Sequence, residues 1–220
     1  MSKTSIVIPP FGRRIAHDAR DEQFLFQRPA KASKRTSRTW PLYWKGDQGN
    51  TPHCVGFGWA HWLAATPIVQ WLDPHGIYGL ALYLDEWEGE ADEGTSVRAG
   101  AKVLQQLGIV ERYDWAYTVD GAAQWLLEKG PVVFGLPWTE DMCVPDAKGL
   151  IRPTGEIAGG HCILANSVNT KTELIGLSNS WGTGWGIKGK CFIGFDDLHK
   201  LLRQDGEACL ATERAAKVPK

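Results

Sequence analysis

The sequence has no long apolar run, no marked net charge and few cysteines, and each absence excludes something. No stretch approaches the roughly 20 apolar residues of a membrane-crossing helix; Ile6-Val7-Ile8 is cut off by Pro9-Pro10. The first thirty residues carry no apolar run behind a basic start, so no secretory signal is expected. The expected location is cytoplasmic, with no membrane partner. A formal net charge of -1 gives no reason to expect a nucleic-acid partner. The five cysteines (Cys54, Cys143, Cys162, Cys191 and Cys209) are an odd and sparse set. That favours free thiols in a reducing compartment over a disulfide framework. No internal repeat is visible.

What is present is ordinary for a folded protein except for 11 Trp, which suggest tight packing and a groove able to hold apolar groups. A chain of 220 residues suits one sizeable domain or two small lobes around a cleft. Charge is uneven: residues 1–39 hold nine Lys and Arg against three Asp and Glu, and the remainder 15 against 22. Residues 1–36 read as a basic arm, partly disordered. The acidic run at 85–93 reads chiefly as solvated surface; a sharper expectation is that it attracts this arm or a basic substrate.

Apolar residues at Val55, Trp59, Trp62 and Leu63 recur with a helical period that starts at Cys54 and breaks near Thr66-Pro67. A second helix is expected over 76–87, with Ile77, Leu80, Ala81, Leu84 and Trp87 on one face. A third is expected over 97–107, capped by Thr95 or Ser96 and stopped by Gly108. The period then changes. A short helix opened by Asp120 precedes strand-like runs at 132–136, 162–168, 174–177 and 191–195, a helix at 197–203 and a last strand near 208–210. The pattern predicts an α+β protein. A helical lobe at 37–115 and an antiparallel, β-rich lobe at 116–212 would share a cleft, with a tail at 213–220.

Four residues carry chemistry. Cys54 stands at a helix N-terminus, where unpaired N–H groups and the helix dipole favour a thiolate. His161 closes Gly159-Gly160-His161 and is suited to take and return a proton near neutral pH. Asn179 opens Asn179-Ser180-Trp181-Gly182-Thr183-Gly184-Trp185-Gly186; its amide cannot accept a proton but can orient an imidazole. Gln48, six residues before Cys54, can donate an N–H to a developing oxyanion together with the Cys54 backbone. A zinc site from the pairs His53-Cys54 and His161-Cys162 is disfavoured, because adjacent side chains point apart.

These motifs resemble those of the papain-like cysteine peptidases over about residues 40–212. The resemblance implies Cys54 as nucleophile, His161 as base and then acid, Asn179 as its orienter and Gln48 as oxyanion donor. It further implies that Trp181 covers the His–Asn bond and that Gly94-Thr95-Ser96 and Gly160 contact extended substrate. Thr51 stands where secreted relatives carry a disulfide cysteine, and Pro52-His53 replaces Gly-Ser before the nucleophile. The 107 residues from Cys54 to His161 are a short separation that suggests a compact bacterial or phage-like branch. The function implied is a cysteine endopeptidase acting on peptide or protein through a thioester, with no metal or organic cofactor. A thiol amidase or acyl transferase using the same dyad, or a non-catalytic peptide-binding protein of the same fold, remains open.

Overall fold

A computed structural model describes residues 10–29, 33–85 and 94–214. Helices α1 (Cys54–Ala64), α2 (Pro74–Leu84) and α3 (Val97–Gln106) form one side of the molecule. The starts of α2 and α3 follow from local chemistry. Asp73 accepts from the Gly76 N–H at the head of α2, and Ser96 accepts from the Ala99 N–H at the head of α3. The face of α2 differs from the expected one: Ile77, Tyr78 and Ala81 are buried, whereas Leu80 is exposed. Trp87 lies outside the described residues.

The remainder is built on strands β1 (Ser37–Thr39), β2 (Val110–Ala116), β3 (Val132–Thr139), β4 (Leu150–Ile151), β5 (Ile157–Asn169), β6 (Leu174–Ser178), β7 (Lys190–Gly194) and β8 (Glu207–Glu213). They join in one sheet in the order β2-β8-β3-β5-β6-β7-β4, with β1 added on β5. Every pairing is antiparallel except β4 with β7. Helix α4 (Val119–Glu128) is capped by Thr118 rather than Asp120, and α5 (Phe195–Leu202) follows β7.

The sheet divides two cores. Alternate residues of β3 and β5 face opposite ways. Val133, Cys162 and Leu164 pack against α1 and α3, while Val132, Phe134, Ile163 and Ala165 pack towards α4 and α5. Both faces being covered explains why β3 reads as an unbroken apolar run. All eleven residues of α1 are buried, because it lies between α2 and the sheet. Gly58 permits the contact: a Cβ there would sit 2.6 Å from the Cys162 sulfur.

Strand β2 was not expected. Its Val110 to Ala116 stretch pairs with β8 and alternates poorly, so periodicity did not mark it. A lobe boundary at 115/116 therefore falls inside a strand, and β1 also carries early chain into the sheet. Among the described residues, no helix is long and apolar enough to cross a membrane.

Candidate active site

Cys54 begins α1, and its sulfur accepts from the Cys162 N–H of β5 at 3.4 Å. His161 lies within β5, opposite Leu136 of β3, rather than at a strand start. Its Nε2 donates to Asn179 Oδ1 at 2.7 Å, which assigns the neutral ring a bare Nδ1. Among the described residues, neither that Nδ1 nor Asn179 Nδ2 has a hydrogen-bond partner. Asn179 is held by its own loop: Oδ1 also accepts from the Ser180 N–H at 2.8 Å, and its backbone N–H donates to Gly189 O. The rings of Trp138 and Trp181 lie 4.8 and 4.9 Å from that of His161 and exclude water from the His–Asn bond.

Gln48 is pinned at both ends of its amide. Oε1 accepts from Ser180 Oγ at 2.6 Å, which orients Nε2 to donate to Thr51 O at 2.6 Å and Pro10 O at 3.2 Å. Ser180 thus couples the Gln48 loop to the Asn179 loop, a role that no sequence pattern pointed to.

The second of those acceptors belongs to the arm. Residues 10–14 cross between the helical side and the sheet as an inserted extended segment. Thr95 N donates to Gly12 O at 2.9 Å, Arg14 N to Thr95 O at 3.1 Å and Arg13 N to Gly160 O at 3.0 Å. The fit depends on glycine: a Cβ on Gly12 would fall 1.5 Å from Pro52 O, and one on Gly160 would fall 1.9 Å from Arg13 O. Further along, the 3-10 helix Ala19–Phe24 is capped by Asp18, and Asp18 and Asp21 pair with Arg98 of α3. Much of the expected disordered arm is therefore a packed part of the molecule. The described arm also pairs Arg28 with Asp120. Of the acidic run at 85–93, Asp85 is described, accepting from Thr95 and Ser96; 86–93 lie outside the described residues.

Burial under the arm reverses the expected electrostatics. Cys54 and His161 are both 0% exposed. Desolvation pushes the Cys54 thiol up to about 11, against the smaller pull of the Cys162 and Gly12 amides. Desolvation likewise lowers His161 to about 4, although the bond to Asn179 favours its charged form. The helix N-terminus was expected to favour a thiolate. In the covered site, loss of water outweighs it, and near neutral pH the pair is thiol plus neutral imidazole.

Of the expected substrate contacts, Gly94, Thr95 and Gly160 line the inserted segment, and Trp181 sits beside His161. Ser96 instead caps α3. His53 stacks on Tyr78, with its Nδ1 2.6 Å from that of His75 at the surface.

Several solved structures share this architecture. Xylellain, a cysteine protease from Xylella fastidiosa, superposes with a TM-score of 0.73 at 16% identity, covering 96% of this chain and 98% of that one. The fold is papain-like. Digestive procathepsin L2 from Tenebrio molitor larval midgut gives 0.69 at 14% identity, covering 93% of this chain and 78% of that one. Bromelain from Ananas comosus, in complex with the E64 inhibitor, gives 0.64 at 12% identity, covering 82% and 100%. No protein-family model matches the sequence, and no curated protein matches it in a sequence search.

On this papain-like frame, Cys54, His161, Asn179 and Gln48 converge between the helices and the sheet. Beyond Trp181 opens a cavity of about 820 Å³, lined in part by Asp47, Asn50, Val144, Asp146 and Trp185. The other half of the groove, along Thr95 and Gly160, is filled by the arm.

Proposed function

We propose that this chain is a papain-like cysteine endopeptidase, held latent by residues 10–14. The observation that carries this reading is the bond from His161 Nε2 to Asn179 Oδ1, which leaves Nδ1 as a base on the strand whose next residue contacts the Cys54 sulfur. With the arm displaced, water returns to the groove and the thiol and imidazole exchange a proton to give thiolate and imidazolium. The thiolate adds to a peptide carbonyl, whose oxygen is received by Gln48 Nε2 and the Cys54 backbone N–H. Pro10 O already occupies one of those donors. His161 then protonates the leaving amine, a thioester forms, and water activated by the same imidazole releases the acid. With the arm displaced, the groove would extend from Cys54 along Thr95 and Gly160 on one side and towards the cavity beyond Trp181 on the other, which suits cleavage within a chain. An attraction of the arm for the acidic run at 85–93 belongs to the same latent state.

Intact mass after exposure to an epoxysuccinyl thiol-peptidase inhibitor tests the reading. A single adduct that Cys54→Ala abolishes is expected. A folded chain that forms no adduct even after deletion of residues 1–14, which removes the segment in the groove, sinks it.

A further inference from the structure

Two histidines meet at the heads of two packed helices. His53 stands at the N-cap position of α1, yet its side chain makes no capping bond. Its ring lies instead on that of Tyr78, with centroids 4.0 Å apart and planes 21° apart. His75 sits in the first turn of α2, just after Pro74, and brings its Nδ1 to 2.6 Å from the His53 Nδ1. Its ring stands nearly perpendicular to that of Phe57, at 5.3 Å. The backbones beneath are fixed by close packing. At Gly56 of α1, a Cβ would lie 2.1 Å from Pro74 O and 2.9 Å from Tyr78 Cβ. The pair is therefore held by two helices rather than by a loop, and it lies at the surface.

Two like nitrogens this close need something between them. A neutral imidazole carries one proton, so one Nδ1 donates and the other presents its lone pair. A metal ion can take the place of that proton and use both lone pairs. With metal–nitrogen bonds of about 2.0–2.1 Å, two ligands at a tetrahedral angle stand about 3.3 Å apart, so the pair must part by about 0.7 Å. His75 is exposed and can supply that movement, while His53 stays stacked on Tyr78. Neighbours in sequence chelate poorly because their side chains point apart, but these two residues come from different helices and converge. Among the described residues, no group of three or more His, Cys, Asp or Glu could hold an ion, so the other coordination positions fall to water. Two imidazoles with open positions suit Cu²⁺, Ni²⁺ or Zn²⁺ rather than the oxygen-seeking Ca²⁺ or Mg²⁺.

We infer that His53 and His75 form a two-imidazole site for a divalent ion of the copper, nickel or zinc type, which clamps the first turn of α1 to that of α2 one residue before Cys54. This site stands whether or not the chain is a peptidase. The ion binds the packed helices and not the unfolded chain, so it stabilises the folded state.

The test uses the full, untagged chain carrying Cys54→Ala, which removes the thiol as a ligand, and Zn²⁺ alone, titrated by calorimetry. One ion per chain is expected. His53→Ala and His75→Ala should each weaken binding by about tenfold or more. The double variant should lose little beyond that, because one missing ligand already breaks the chelate. His199→Ala, at an exposed histidine elsewhere, should change nothing. Zn²⁺ should raise the Tm of the parent and of neither His53→Ala nor His75→Ala. The EPR spectrum with one equivalent of Cu²⁺ should show two coordinated imidazole nitrogens. Circular dichroism without metal separates loss of the site from loss of the fold, and His53→Gln and His75→Gln replace any alanine variant that does not fold. Absence of one-to-one binding, binding that either single variant weakens by less than about tenfold, or a copper spectrum with fewer than two nitrogens overturns the proposal. The pair is then an imidazole–imidazole hydrogen bond and nothing more.

Discussion

His161 and Asn179 meet at 2.7 Å through Nε2 and Oδ1, while the other ring nitrogen is buried and has no hydrogen-bond partner among the described residues. One bond thereby sets both the tautomer and the orientation of the imidazole ring. Asn179→Ala should leave the fold intact and reduce kcat about tenfold, the worth of one orienting hydrogen bond. The fall should sit in kcat rather than KM. An equal loss in both would assign Asn179 to substrate binding instead.

Gly12 lies against Pro52 with no room for a side chain. Gly12→Ala should cost the arm-covered state about 1–3 kcal/mol, the usual range for overpacking. The rate of Cys54 alkylation at neutral pH should rise by about tenfold or more. An unchanged rate with a lowered Tm would show that the arm stays in place and the strain is borne elsewhere.

The buried histidines predict an acid limb of stability. Burial lowers both His161 and His61 from 6.5 to about 4. Folding therefore disfavours their protonation, so their contribution is present above pH 6.5 and lost as pH falls through 4. Each accounts for about 3 kcal/mol at full effect. Cys54 acts at the other end: raised from 9.0 to about 11, it stabilises the covered state below pH 9 and loses that as pH rises through 11. Glu207, also raised, opposes the histidines at low pH. Urea midpoints should fall between pH 6.5 and 4; a flat profile there would mean that neither imidazole is desolvated.

Two glycines in neighbouring helices should respond in opposite ways. Gly58→Ala in α1 presses on the Cys162 sulfur and should destabilise the fold by about 1–3 kcal/mol. At Gly79, exposed within α2, a Cβ meets nothing within 4 Å, so Gly79→Ala should stabilise by about 0.5–1 kcal/mol. Thermal denaturation of the pair checks the packing of α1 against the sheet.

Much of the fold was legible because its periods are local. The helix from Cys54, the cap at Ser96 and the strands around 132, 162, 174 and 191 follow from residues within a few positions of one another. β2 was missed because Glu111 and Arg112 break its alternation, and only pairing with β8 makes it a strand. Thr118 was passed over as a cap in favour of Asp120, although both types suit that role. The buried face of α2 also shifted, because α1 and α3, rather than helical period alone, determine which side is covered.

The chain order of Gln48, Cys54, His161 and Asn179 was sufficient by itself to single out four side chains for a proposed thiol chemistry, since each carries its own functional group and local motif. Their ionisation was not readable there. Whether Cys54 is a thiol or a thiolate depends on how much water reaches it, and a segment 40 to 44 residues upstream helps to fill the groove beside it. The pairing of Arg13 with Glu207 across 194 residues is likewise a product of tertiary structure alone. Burial and long-range charge pairing depend on which distant parts of the chain meet, and no local pattern encodes that.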